Sequence, residues 1–241
     1  MPVALVTGSS RGIGRAIAER LGADGAAVVV NYHSDRSAAE QVVATIEAGG
    51  GQAVAAQADV ADPAQLTGLF ETAEQYFGGL DILVNNVGTA TFSPIAEATD
   101  DEFDLMFTTN TKATFIALRT AANRLRDGGR IVVVSSGATA TSRPGSGIYA
   151  ATKAAGEALA RVLAKELGPR GITVNNVLPG AVRTEALAAA RSPALTEQVI
   201  NQTPLGRIGE PDDIADIVAF LASPDARWIT GQSLHAGGGL F

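Results

Sequence analysis

Residues 3–14 read VALVTGSSRGIG, and this stretch decides the fold. An apolar run suited to a buried strand leads into a glycine-rich turn, and a helical pattern follows at once. Gly8 permits the sharp turn, Gly12 lets the backbone approach a pyrophosphate, and Gly14 allows close packing of helix on sheet. Because the N–H groups at the start of a helix attract anions, the order strand, turn, helix predicts a dinucleotide site rather than a merely tight turn.

The alternation of short apolar runs and longer amphipathic stretches continues along the chain. Nearly continuous apolar runs predict strands covered on both faces, at residues 3–7, 27–31, 53–58, 82–84, 131–135 and 173–177, with a last one near 233–234. Helical patterns occupy residues 14–24, 37–48, 63–77, 103–126, 149–167 and 211–221. This rhythm predicts an α/β fold with one doubly wound parallel sheet of about seven strands and helices on both faces.

Residues 181–209 interrupt this rhythm, because they contain Pro193 and Pro204 and show no strand pattern. In a doubly wound sheet they would lie beyond the carboxyl ends of the strands, where ligands bind. We therefore expect a single domain over residues 1–241 with a substrate lid at about residues 181–209. A surface excursion is the alternative.

The composition disfavours several classes of protein. The chain of 241 residues has no cysteine and only two histidines, so we expect neither disulfides nor a metal site. Its net charge of −7 disfavours nucleic-acid binding. No apolar run approaches the ~20 residues of a membrane span, and the strand pattern starts too early for a signal peptide. We expect a cytoplasmic protein without a membrane partner.

Four ordered motifs resemble those of the short-chain dehydrogenase/reductase family. They are Gly-x3-Gly-x-Gly at residues 8–14, Asn85-Asn86-Val87-Gly88, Tyr149-x3-Lys153 and Pro179-Gly180. The second departs from the family's Asn-Asn-Ala-Gly segment at Val87. With residues 229–232, the pattern is closest to the 3-oxoacyl-acyl-carrier-protein reductase type. The resemblance implies a Rossmann-like fold, an oxidoreductase activity and a homotetramer, with the helices at 103–126 and 149–167 paired across one interface.

Tyr149 and Lys153 are spaced i, i+4, so a helix places both on one face. Carbonyl reduction needs a proton donor at the carbonyl oxygen. A neighbouring ammonium stabilises tyrosinate and is expected to lower the pKa of Tyr149 towards neutrality. We expect these two residues to be the acid/base pair; a surface Tyr/Lys pair is the alternative.

The resemblance implies two further catalytic residues. Ser136, which stands thirteen residues before Tyr149, would hold the substrate oxygen, while alternation along the strand would turn Ser135 the other way. Asn110 would hold a water that passes protons from Lys153 towards solvent. Without the resemblance, Ser136 could be a hydrogen-bonding loop residue and Asn110 a helix-kink residue.

The end of the second strand favours NADP(H) over NAD. An acidic residue there would bind the ribose hydroxyls of NAD, whereas this chain has the segment 31–34, Asn-Tyr-His-Ser. Arg11 is placed to meet a 2′-phosphate, and Ser10, Asn31 and Ser34 could donate hydrogen bonds to it. Asp35 argues for NAD unless it is a solvated loop charge.

The resemblance extends the cofactor site along the chain. Asp59 and Val60 would contact the adenine, and Thr184 would contact the phosphates. Pro179, Gly180 and Val182 would contact the nicotinamide carboxamide, and Lys153 would contact the nicotinamide ribose. The expected cofactor-binding residues are Gly8, Ser10, Arg11, Gly12, Ile13, Gly14, Asn31, Tyr32, His33, Ser34, Asp59, Val60, Asn86, Val87, Gly88, Tyr149, Lys153, Pro179, Gly180, Val182 and Thr184.

The expected reaction is hydride transfer between NADP(H) and a small free ketone, aldehyde or secondary alcohol. Reductases that act on an acyl carrier protein display basic residues near the site; Arg170 is compatible with this, but Asp127 lies in the other expected basic region. One alternative is a 3-oxoacyl-acyl-carrier-protein reductase. Another is a non-catalytic NADP(H)-sensing protein, which would be expected to lack some catalytic residues. The expected pocket walls are Thr139, Ile148, Ala181 and Leu187.

Overall fold

The computed structural model describes residues 1–190 and 193–241. Seven strands form one parallel sheet in the order β3-β2-β1-β4-β5-β6-β7. They are β1 (Val3–Val6), β2 (Ala27–Tyr32), β3 (Gln52–Gln57), β4 (Leu80–Asn85), β5 (Leu125–Val134), β6 (Thr173–Pro179) and β7 (Ser233–Ala236). The chain builds from β1 to β3 and then returns to the other side of β1, so a crevice opens at the carboxyl ends of β1 and β4.

Helices cover both faces of the sheet. They are α1 (Gly12–Ala23), α2 (Arg36–Ala48), α3 (Pro63–Phe77), α4 (Asp100–Met106), α5 (Ala113–Arg124), α6 (Ala138–Thr141), α7 (Gly147–Glu166), α8 (Glu185–Ala190), α9 (Pro193–Gln202) and α10 (Pro211–Ala222). On one face α5 packs between α3 and α7, and on the other α1 packs between α2 and α10. Each face buries its own apolar core, with Phe70 in the first and Ile17 in the second. The predicted doubly wound α/β fold is confirmed.

The predicted helix at residues 103–126 differs in the structure. A capping box between Thr99 and Glu102 starts α4 at Asp100. A π-helical turn at Phe107–Lys112 then separates α4 from α5, and Asn110 lies inside this turn. The prediction missed the turn because a single extra residue hardly changes the apolar pattern of the helix. Such turns are frequent at functional sites.

The segment 181–209 leaves the sheet after β6 and returns to its own starting point. It carries α8 and α9, and a β-bridge joins Val182 to Gly209. Gly209 N donates to the Ala181 carbonyl at 2.9 Å, which closes the base of the segment. Its middle, at residues 191–192, lies outside the described residues. Across the part of the chain that the structure describes, no helix is long and apolar enough to cross a membrane, and no group of three His, Cys, Asp or Glu could hold a metal ion.

Candidate active site

A cavity of about 410 Å³ lies where the glycine turn meets α1 and the end of β4. Thirteen of the expected cofactor-binding residues line it, namely Gly8, Ser10, Arg11, Gly12, Ile13, Gly14, Tyr32, His33, Ser34, Asn86, Val87, Gly88 and Thr184. Asp35 and Glu185 line it too. The sequence did not predict Glu185 as a lining residue, because no local motif includes it.

The glycine turn has the geometry that a pyrophosphate requires. Gly8 has a φ of +61°, a conformation that favours glycine. A Cβ on Gly14 would lie 2.2 Å from the Gly8 carbonyl oxygen, so only glycine lets α1 approach the turn this closely. None of the described side chains caps α1, which leaves its first N–H groups available to an anion. These residues fit the diphosphate of a dinucleotide.

The residues at the end of β2 differ from expectation at Asn31, and they show what Asp35 does. Asn31 is buried, its Oδ1 accepts from Gly8 N at 2.9 Å, and its Nδ2 donates to the Ala58 carbonyl at 3.2 Å. Asn31 therefore holds the glycine turn. The expectation that it donates a hydrogen bond to a 2′-phosphate is wrong, because its side chain is buried and already bonded. Asp35 is the N-cap of α2 and accepts from Ala38 N at 2.9 Å. Arg11 is exposed beside the cavity.

Three other expected cofactor residues are not among those that line this cavity. Asp59 Oδ1 accepts from Ala61 N at 2.9 Å within its own loop. Val60 and Val182 are buried, and Val182 forms the bridge to Gly209. These residues support the loops that line the cavity.

A second cavity, of about 580 Å³, lies at the ends of β5 and β6. Ser136, Tyr149, Pro179 and Gly180 line it together. Of the four expected pocket walls, Ala181 is among the lining residues, whereas Thr139, Ile148 and Leu187 are not. The site therefore brings the predicted nicotinamide loop next to the predicted proton donor.

Aromatic side chains that sequence reasoning missed form much of this second cavity. The ring of Phe92 packs edge-on against Tyr149, with 5.8 Å between centroids. The Arg143 guanidinium lies 5.1 Å from the centroid of Phe92. Phe241 also lines the cavity, and a Cβ on Gly137 would lie 2.2 Å from its ring. No local motif predicts these residues, because three distant segments contribute them, with Phe92, Arg143 and Phe241 far apart in the sequence.

Two neighbouring serines at the end of β5 have different environments, as strand alternation predicts. Ser136 lines the cavity together with Tyr149, and its hydroxyl oxygen accepts from Ala138 N at 3.2 Å. Ser135 is buried and donates to Glu157 Oε1 on α7 at 2.6 Å. Ser136 is therefore the serine that a substrate could reach.

Lys153 and Asn110 are both buried next to Gly88. Lys153 Nζ donates to the Val134 carbonyl at 3.2 Å. Asn110 bonds both the N–H and the carbonyl of Thr89 at 2.8 Å, and its Nδ2 also reaches Thr152 Oγ1 at 3.0 Å. A Cβ on Gly88 would lie 2.7 Å from Lys153 Nζ and 3.4 Å from Asn110 Oδ1. The absence of a Cβ at Gly88 therefore leaves space for the Lys153 ammonium. Asn110 is held in its position by the π-helical turn.

Burial governs the ionisation of the acid/base pair. It lowers the pKa of Lys153 from 10.5 to about 8, and the negative charge of Glu157 opposes this effect. Burial raises the pKa of Tyr149 above its ordinary value of 10, and the hydrogen bond with Ser136 offsets part of that rise. The expectation of a lowered pKa for Tyr149 is therefore wrong for the protein alone, because desolvation of the phenol dominates. Tyr149 carries its proton at neutral pH.

Comparison with known proteins gives a consistent result. A family model described as enoyl-(acyl carrier protein) reductase matches residues 8–241. An uncharacterized oxidoreductase of Methylorubrum extorquens is 49% identical, covering 99% of this chain and 97% of the relative. Versicolorin reductase of Emericella nidulans is 43% identical, covering 99% and 95%. The crystal structure of the angucycline C-6 ketoreductase LanV with bound NADP superposes with a TM-score of 0.94 at 43% identity, covering 99% and 95%.

The chain belongs to the short-chain dehydrogenase/reductase family, and it is an oxidoreductase of that family. The resemblance drawn from the four sequence motifs is confirmed. The fold of the solved ketoreductase is also the fold predicted from the alternation of strands and helices.

Proposed function

We propose that Asn110, Ser136, Tyr149 and Lys153 are the catalytic residues with which this protein reduces a free ketone. The protein is an NADP(H)-dependent oxidoreductase that transfers a hydride between nicotinamide and a ketone, aldehyde or secondary alcohol. One observation carries the proposal. Ser136 and Tyr149 line the same cavity, and Lys153 is buried one turn further along α7.

In this proposal each side chain has a separate task in ketone reduction. NADPH, when bound, supplies the hydride that reaches the carbonyl carbon. The Ser136 hydroxyl donates a hydrogen bond to the carbonyl oxygen and orients it, and Tyr149 transfers its phenolic proton to that oxygen, which gives the alcohol. Lys153, protonated below about pH 8, stabilises the resulting tyrosinate. Asn110 would hold the water that passes protons between Lys153 and solvent.

Charge near the first cavity supports NADP(H). Arg11 is exposed at its edge and would pair with a 2′-phosphate, with Ser10 and Ser34 as further donors. Asp35, the residue that argued for NAD, already uses one oxygen to cap α2. The uncapped start of α1 would hold the diphosphate.

The substrate cavity favours a free cyclic ketone over a carrier-bound one. Phe92 and Phe241 present aromatic surface that a flat ring can contact. Two of the basic residues that would attract an acidic carrier are already paired: Arg170 Nε lies 2.7 Å from Asp127 Oδ1, and Arg126 Nη1 lies 3.0 Å from Asp81. Pairing weakens their attraction for a carrier. The relatives named for ketone reduction support the same choice.

We also infer that residues 1–241 form one domain with a lid at residues 181–209. Thr184 and Glu185 line the cofactor cavity, whereas Val199 and Gln202 of α9 line the substrate cavity. The segment therefore reaches both cavities, as a lid over cofactor and substrate must. The absence of cysteine agrees with a cytoplasmic location.

We infer a homotetramer, which the family resemblance and the apolar side chains left on the surface support. Phe103, Phe115 and Val162 lie on the helices expected to pair, and each is about half exposed. Trp228, near the C-terminal strand, is 94% exposed. Surfaces of this kind mark contacts between protein chains. Light scattering of the purified protein measures the mass directly.

The test of the activity follows the absorbance of NADPH, and separately of NADH, with three classes of substrate. These are an aromatic ring ketone such as α-tetralone, a small aliphatic ketone and a 3-oxoacyl thioester on a carrier protein. We expect NADPH consumption to be fastest with the ring ketone. Consumption with the carrier thioester alone would favour the 3-oxoacyl-acyl-carrier-protein reductase. Tight NADPH binding without any turnover would favour the sensing protein.

A further inference from the structure

A buried carboxylate that has no part in the proposed chemistry lies on α7 one turn beyond Lys153. Glu157 is 7% exposed. Its Oε1 accepts the hydrogen bond from Ser135 Oγ at 2.6 Å, and Arg161 Nη1 lies 3.8 Å from its Oε2. A buried carboxylate is costly unless charge or hydrogen bonds compensate it. Its place beside the acid/base pair points to a task.

The spacing along α7 places three ionisable side chains in one row. Tyr149, Lys153 and Glu157 follow each other at i, i+4 and i+8, so neighbouring members share a helix face. Glu157 favours the charged form of Lys153, which burial disfavours. Glu157 is therefore on the far side of Lys153 from the phenol, where it acts on the ammonium without touching the substrate cavity.

None of the other groups described around this row supplies a negative charge beside Lys153. Lys153 is met by the Val134 carbonyl from β5 and by Gly88 from the loop after β4. Glu157 is met by Ser135, which is neutral, and by Arg161, whose side chain is half exposed. A solvent-screened pair of this kind is weak and leaves most of the carboxylate's charge effective.

We propose that Glu157, fixed by Ser135, is a positioning residue that keeps the buried Lys153 in its ammonium form at neutral pH. The role of that ammonium in catalysis rests on the function proposed above. Without the negative charge, burial would favour the neutral amine, and Tyr149 would lose the cation that stabilises it after proton transfer. Glu157 touches neither substrate nor cofactor.

The direct test is to measure the titration of Lys153 itself. The chain has three lysines, Lys112, Lys153 and Lys165, so protein labelled with 13C at lysine Cε gives a spectrum that Lys153→Met assigns. We expect Glu157→Gln to move the Lys153 titration to lower pH by about 0.5–2 pH units, the effect of one charge at roughly 6 Å. Glu166→Gln makes the same charge change at an exposed position on α7 and should leave Lys153 unmoved.

A titration of Lys153 that is the same in wild type and Glu157→Gln would overturn the proposal. If Glu157→Gln does not fold, Glu157→Asp provides the second test. It keeps the charge, so the midpoint of the Lys153 titration in this variant should lie within about 0.5 pH units of the wild-type midpoint. A larger downward displacement in Glu157→Asp would show that side-chain length, rather than charge, sets the titration, and would count against the proposal.

The rate of ketone reduction gives an independent reading. Because the ammonium is lost as pH rises through its pKa, a lower pKa in Glu157→Gln moves the alkaline fall of kcat/KM to lower pH by the same amount. A merely structural role would lower the rate equally at every pH, and that result would contradict the proposal. If the wild-type protein reduces no ketone but Lys153 titrates as expected, the proposed function fails and the electrostatic role of Glu157 stands.

Discussion

The two cavities of the crevice are built from different parts of the polypeptide. The cofactor cavity is centred on a backbone feature, the glycine turn at residues 8–14 with the uncapped start of α1. The substrate cavity is formed by side chains from distant loops, including Phe92, Arg143 and Phe241. Backbone geometry dictates residue type, as the close approach at Gly14 does, whereas a cavity wall accepts many side chains. Cofactor binding and chemistry are therefore set locally, while substrate choice can change without changing the fold.

Lys153 should produce the largest effect, because it packs against Gly88 of the cofactor cavity and follows Tyr149 of the substrate cavity by one helical turn. Lys153→Met should lower kcat/KM for ketone reduction by about 10²–10⁴-fold. The same change should raise the free energy of unfolding at pH 7. The folded protein holds the ammonium with its pKa lowered to about 8, so the cost of that charge is fully present below pH 8 and disappears as pH rises towards 10.5. Thermal unfolding at pH 7 and pH 10 measures this gap, and a variant less stable at pH 7 would contradict the reasoning.

Arg11 tests whether the cofactor cavity reads the 2′-phosphate. Loss of one charge-assisted contact should raise KM for NADPH by about 10–100-fold in Arg11→Ala and leave KM for NADH nearly unchanged. Arg15 lies one turn further along α1 and pairs with Glu19 at 2.8 Å, so Arg15→Ala is the matched control. An equal rise in KM for NADPH and for NADH in Arg11→Ala would show that Arg11 supports the turn rather than recognising the phosphate.

Gly88 tests how tightly backbone sets the space around Lys153. Gly88→Ala should lower the free energy of unfolding by about 1–3 kcal/mol, because its Cβ would meet Lys153 Nζ at 2.7 Å. Gly68 lies in α3 with open space around its Cβ position, so Gly68→Ala should raise that free energy by about 0.5–1 kcal/mol. Urea unfolding of both variants makes the comparison. Similar changes in the two would argue against crowding at position 88.

Phe92 should give the smallest effect, which is confined to the substrate cavity. Phe92→Leu should raise KM for an aromatic ring ketone by about 2–10-fold, the value of one aromatic contact, and change KM for an aliphatic ketone less. Phe220, on α10, is partly exposed away from the cavity and provides Phe220→Leu as the control. An equal rise for both ketones would mean that Phe92 supports Tyr149 rather than the substrate.

The same contrast explains what the sequence could predict. The glycine turn, the Tyr-x3-Lys spacing and the apolar rhythm are local, so the fold, the family and the position of Ser136 beside Tyr149 could be predicted from them. The π-helical turn around Asn110 and the walls formed by Phe92 and Phe241 depend on contacts between distant segments, which no local pattern records. The raised pKa of Tyr149 was missed for a related reason, because desolvation depends on everything packed around the phenol.

The central claim is that Tyr149 is the proton donor. The chain has three tyrosines, and Tyr76 is 60% exposed and outside both cavities, so Tyr76→Phe is the matched control for Tyr149→Phe. The decisive measurement is NADPH oxidation with a ring ketone, alongside NADPH binding by fluorescence, in wild type and both variants. We expect Tyr149→Phe to bind NADPH as wild type does but to lose turnover by at least about 10²-fold, while Tyr76→Phe retains it. Turnover that survives in Tyr149→Phe would contradict the assignment of the proton donor.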